Sequence, residues 1–128
     1  MLQVEDVGGN RVNVRVRFRL RVYQDAVVAI GPGKVDLLEA IVEAGSISGA
    51  ARLMNMSYRR AWSLVETLNN ALEQPAVITV TGGAKGGGAQ LSEIGEEIIR
   101  RYRAIEAAAN RAAEDDIAAL TGFLKTEN

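Results

Sequence analysis

The chain has neither cysteine nor histidine among its 128 residues. Without cysteine there is no disulfide framework, no thiolate metal site and no cysteine nucleophile. Without histidine the commonest zinc ligand and the commonest general base are both missing. Carboxylates, Lys, Tyr and Ser remain as candidate catalysts, but they form no recognisable set of acid, base and nucleophile. No enzyme, metal or cofactor is therefore expected. No apolar run reaches the roughly 18 residues of a membrane span. The opening MLQVEDVGGN has neither the basic start nor the apolar stretch of a secretory signal. A cytoplasmic protein with no membrane partner is the expectation.

What is present suits a folded chain: 48% of residues are hydrophobic and 24% charged, outside the composition of disordered proteins. The length allows one compact domain plus an appended element. The net charge of −1 is unlike that of most nucleic-acid binders, but it hides a gradient. Residues 1–60 carry nine Arg or Lys against six Asp or Glu, whereas residues 92–128 carry five against eight. An acidic terminal element can thus lower the total without touching a basic face.

Residues 11–22 alternate strictly, with Val12, Val14, Val16, Phe18, Leu20 and Val22 on one side and Arg15, Arg17, Arg19 and Arg21 among those on the other. Period two predicts one strand with a buried and a wet face, the arginines forming a solvated, edge-protecting row. Gln24-Asp25 is expected to turn the chain into a second strand over residues 26–30, ended by Gly31-Pro32-Gly33.

The pattern then becomes helical. Val35, Leu37, Leu38, Ile41 and Val42 predict a helix over residues 34–43 with Gly45 beyond its end as a C-cap. Ser46 is placed to cap a second, short helix through Leu53-Met54, and Ser57 a third running to about Leu72. Two helices separated only by Asn55 and Met56 must cross steeply, as in a helix-turn-helix. Three steric requirements are met at consistent spacing: Ala51 at the crossing, Asn55 where a left-handed backbone is needed, and Ala61 where the next helix packs back. Residues 76–81 and 89–91 read as a hairpin around a glycine-rich tip, a wing. Ser92 then caps a final helix over residues 93–120, roughly 40 Å long at about 1.5 Å per residue. Its apolar stripe is Ile94, Ile98, Ile99, Tyr102, Ile105, Ala109, Ala112 and Ile117. A helix of that length exceeds what so small a domain covers, so its distal half is expected to pack on a second copy.

The predicted fold class is α+β: a winged helix-turn-helix over residues 34–91, an N-terminal β-hairpin and a long C-terminal dimerisation helix. The division falls into residues 1–91 and 92–128. The third helix would present Ser57, Tyr58, Arg59, Arg60 and Ser63, while Trp62, Val65 and Leu68 face the core. Arginines at this position can reach guanine edges or phosphates, and Tyr58 a phosphate. Ser46, at the head of the second helix, joins the candidate DNA contacts. The glycine run lacks GxxxxGK followed by Ser or Thr, and also GxGxxG, so it is no nucleotide cradle. As a wing tip it lets Lys85 approach a phosphate or the minor groove. The alternatives are a solvated Arg pair and a hairpin turn that contacts nothing.

With GSIS at 45–48, SYRRAW at 57–62 and TGGAKGGGAQLSEIG at 81–95, the chain resembles the N-terminal DNA-binding domain of the ModE family of molybdate-responsive regulators. The helix-turn-helix of that family is similar to that of LysR-type regulators. The resemblance covers about two thirds of the chain. It implies a homodimer that binds double-stranded DNA at a palindromic operator, linked to molybdenum uptake or cofactor genes. That family senses molybdate through C-terminal domains, for which there is no room before Asn128, so molybdate is not expected to bind this chain. The competing reading is a protein-interaction module in which the winged helix is scaffold and the acidic terminal helix recruits a partner.

Overall fold

A computed structural model describes residues 2–4, 13–81 and 87–125. Its elements are β1 (Leu2–Val4), β2 (Val14–Val16), β3 (Val22–Gln24), β4 (Val27–Ile30), α1 (Pro32–Ala44), α2 (Ile47–Leu53), α3 (Tyr58–Ala71), β5 (Val77–Val80), β6 (Gly88–Leu91), α4 (Glu93–Ala112) and α5 (Glu114–Thr121). The architecture is α+β, with three antiparallel strand pairs, β1–β2, β3–β4 and β5–β6. Among the described residues no helix is long and apolar enough to cross a membrane.

Two compact units make up the chain, one of residues 20–102 and one of residues 1–19 with 103–128. The first is the winged helix. Its core joins Leu37, Leu38 and Ile41 of α1, Ile47, Ala50 and Ala51 of α2, Ala61, Val65 and Leu68 of α3, and Ala76, Val77 and Ala89 of the wing. Small residues lie where helices cross: Ala50 and Ala61 are wholly buried, and a larger side chain at either would push the helices apart.

Local chemistry sets each boundary. Pro32 begins α1 at a position where a missing N–H costs nothing. Gly45 ends it at φ 76°, its N–H donating to the Ile41 carbonyl at 2.8 Å. Ser46 Oγ accepts from the Gly49 N–H at 3.0 Å and Ser57 Oγ from the Arg60 N–H at 3.1 Å, the two expected N-caps. Between the helices Asn55 takes the left-handed conformation, φ 55°. The β3–β4 hairpin turns through Asp25 and Ala26 with Asp25 at φ 54°. Asp tolerates this region better than most residues, so the turn needs no glycine.

Three expectations require correction. Residues 11–22 do not form one strand: β2 stops at Val16 and β3 starts at Val22, and Arg11 and Val12 lie outside the described residues. The in-and-out alternation survives over residues 13–20, but the Leu20 carbonyl accepts a bond from the Tyr102 hydroxyl at 2.8 Å instead of from a ladder. The single helix over residues 93–120 is two, joined at Ala113 (φ −102°, ψ 10°). Glu114, Asp115 and Asp116 occupy the first turn of α5, where carboxylates favour a fresh helix N-terminus. Trp62, expected in the core, is 40% exposed.

In the second unit β1 pairs with β2, Leu2 opposite Val16 and Val4 opposite Val14. The distal part of α4 carries an Arg103–Glu106 ion pair at 2.8 Å. None of the unit's residues over 13–19 and 103–125 is buried.

Candidate nucleic-acid interface

The candidate surface is built on α3. Ala61, Val65 and Leu68 are its buried side. At 100° per residue, Arg59, Ser63 and Glu66 fall on the opposite side, and all three are exposed. Arg60 is also exposed but lies 100° round from Arg59, so the two arginines address different directions. Neither has an ion-pair partner among the described residues. Ser57 spends its hydroxyl on the cap and Ser63 is exposed, its carbonyl accepting from Thr67 Oγ1 at 2.9 Å.

Tyr58 and Trp62, one helical turn apart, stack with ring centroids 6.5 Å apart and planes within 10°. This pair faces the wing. An open groove of about 330 Å³ runs between the start of α2, the start of α3 and the wing, with Ser46, Ser48, Tyr58, Trp62, Thr79 and Thr81 among its lining residues. Among the described residues no carboxylate lines it. Hydroxyls, an indole and the backbone of Gly87 and Gly88 make a wall able to donate hydrogen bonds to phosphate oxygens. Ser46 Oγ is 3.4 Å from Ser48 Oγ and half-buried, so its part is largely the cap. Of the residues expected from sequence, the groove unites Ser46 and Tyr58; Arg59 and Ser63 sit on the neighbouring helix face, and Arg60 further round. Lys85 lies outside the described residues.

The wing is held against the helices by polar contacts that sequence reading missed. Asn69 Oδ1 accepts from the N–H groups of Ala76 (2.8 Å) and Val77 (3.2 Å), and its Nδ2 donates to the Val77 carbonyl at 3.1 Å. Ser92 Oγ donates to the Pro75 carbonyl at 2.7 Å and accepts from the Gly95 N–H at 3.2 Å. The Ala89 N–H donates to the carbonyl of Gly45 at 2.9 Å. Beneath the wing Gly95 approaches so closely that a Cβ would stand 2.4 Å from the Ala76 carbonyl oxygen. Lys34 is 8% exposed. Its ammonium donates to the carbonyls of Val28 and Ala29, and burial pushes its pKa below the ordinary lysine value.

Comparison with known proteins gives a consistent result. The molybdenum transport protein ModE of Azotobacter vinelandii is 41% identical over 88 residues, which are 69% of this chain and 33% of that protein. The molybdenum-pterin-binding protein MopB of Rhodobacter capsulatus is 49% identical over 78 residues, 61% of this chain and 29% of its own. Over that stretch the chain is a relative of the ModE regulators. The DNA-binding transcriptional dual regulator ModE of Escherichia coli K12 matches over 97 residues at 33% identity, 73% of this chain and 37% of that ModE. The chain thus spans about a third of the length of the ModE relatives it matches. No family model matches it. Among solved structures, full-length LysG of Corynebacterium glutamicum, a LysR-type regulator with bound effector Arg, matches with a TM-score of 0.53 at 19% identity, covering 73% of this chain and 30% of LysG. That likeness establishes the winged-helix fold.

Proposed function

We propose that this chain is a DNA-binding transcriptional regulator in which α3 enters the major groove and the wing groove follows the adjacent backbone. The observation that carries the reading is the exposed Arg59–Arg60 pair, without an ion-pair partner among the described residues, at the second and third residues of a Ser-capped second helix of a helix-turn-helix. The ModE names of its relatives support it. Ser57 and Tyr58 hold the N-terminal end of α3 at the phosphates, Arg59 and Ser63 meet base edges, and Ser46 and Lys85 are assigned contacts to the DNA backbone.

In this reading the protein works in the cytoplasm as a homodimer on a palindromic operator, with recognition helices about 34 Å apart. Residues 92–128 supply the dimer contact. The exposed Ile105, Leu120, Phe123 and Leu124 support this, because apolar side chains of that size favour a partner surface. The molybdenum-related names of the ModE relatives suggest regulation of molybdenum genes. Molybdate itself is not a ligand of these residues in this reading, and no catalysis is assigned.

Fluorescence anisotropy on duplexes from the gene's own promoter region tests the proposal. Wild-type protein binds one fragment tightly and loses affinity steeply with salt; the Arg59→Ala, Arg60→Ala double variant loses binding by at least tenfold. Absence of wild-type binding to every fragment at low salt would overturn the reading in favour of a protein partner.

A further inference from the structure

Four exposed residues of α3, Arg59, Trp62, Ser63 and Glu66, stand at i, i+3, i+4 and i+7. This is the spacing with which one helix of a homeodomain reads successive bases. Arg59 to Glu66 spans about 10.5 Å along the axis, close to three base-pair steps of about 3.4 Å. Glu66 is the anomaly. Its carboxylate has no ion-pair partner among the described residues, yet it lies in line with Arg59 and Ser63 on the side facing away from the core.

A carboxylate on a surface that docks against a polyanion is repelled unless it accepts a hydrogen bond there. In the major groove the available donors are the exocyclic amines of cytosine and adenine. Adenine places its N7 acceptor beside the amine and so opposes a carboxylate, whereas the cytosine N4 amine does not. We infer that Glu66 is a specificity-determining residue that selects cytosine, about three base pairs from the base that Arg59 contacts. This rests on the DNA-binding reading above and adds a base-reading residue to it. Glu66 also discriminates negatively: at sites lacking cytosine its charge remains, uncompensated, against the phosphates.

The test is selection from a randomised duplex library by wild-type protein, Glu66→Gln and Glu66→Ala, followed by sequencing. Wild type should enrich sites with one cytosine per half-site that Glu66→Ala no longer enriches. Glu66→Gln, able to pair with the adenine N6 and N7, should change that position to adenine. In single-substitution duplexes, replacing the cytosine should cost wild type roughly tenfold in Kd and Glu66→Ala nothing. If both variants enrich the same sites as wild type, the assignment of Glu66 is wrong while the regulator reading stands. If wild type enriches nothing, the regulator reading itself fails, and the Glu66 assignment with it.

Discussion

The two units of this chain bury their apolar residues very differently. In residues 20–102 the core is closed, and Val35, Leu37, Leu38, Ile41 and Leu68 are almost wholly removed from solvent. In the other unit no residue over 13–19 and 103–125 is buried, α5 has no buried side, and Leu120 and Phe123 are 68% and 83% exposed. One unit has the interior of an independent domain. The other exposes apolar side chains of the kind the proposed dimer would cover.

The sharpest test of that difference is large-to-small substitution. Leu68→Ala should cost about 2–5 kcal/mol, read as a lower urea midpoint. Phe123→Ala, measured at a concentration where the chain is monomeric, should leave that midpoint unchanged. Equal losses would mean the distal unit also contains a core. Next in size is the attachment of the wing. Asn69→Ala removes a side chain that satisfies two backbone donors and one acceptor, and should cost about 1–3 kcal/mol. Leu120→Glu should act through association alone, shifting sedimentation toward monomer while leaving the thermal unfolding of the monomer in place.

The smallest effect concerns Lys34. Its pKa is lowered in the folded chain by burial, so between that lowered value and about 10.4 the unfolded chain binds more protons than the folded one. Stability therefore rises with pH across that window, and the gain is complete only above the unfolded value. Urea midpoints between pH 7 and pH 10 should rise more in wild type than in Lys34→Met.

The winged helix was legible in the sequence where a signal acts within a few residues. Ser46, Ser57, Gly45 and Asn55 each cap or turn the backbone beside them, and each does so in the structure as its type predicts. Reading failed where the deciding partner lies far along the chain or where size was taken for burial. Trp62 follows the buried Ala61 by one residue, which rotates it 100° from the core side toward the wing. Asn69 acts on residues seven and eight positions later, and Tyr102 reaches the Leu20 carbonyl across 82. No periodicity reports such pairs. The division between α4 and α5 was masked by an apolar stripe that runs through it, although Glu114-Asp115-Asp116 marks the restart. Of the candidate interface, the Arg59–Ser63 side was readable from the caps; the groove under the wing was not, because three separate elements build it.

β6 ends at Leu91 and α4 begins at Glu93, with Ser92 alone between them, bonded at once to Pro75 and Gly95. There is no slack here to absorb an added or lost residue. Helical geometry converts any such change into rotation, about 100° per residue, which would carry Ile98 and Ile99 off the core and Tyr102 away from Leu20. An insertion at this junction is thus an error of phase rather than of length, and a second insertion cannot cancel it until a full helical turn has been added.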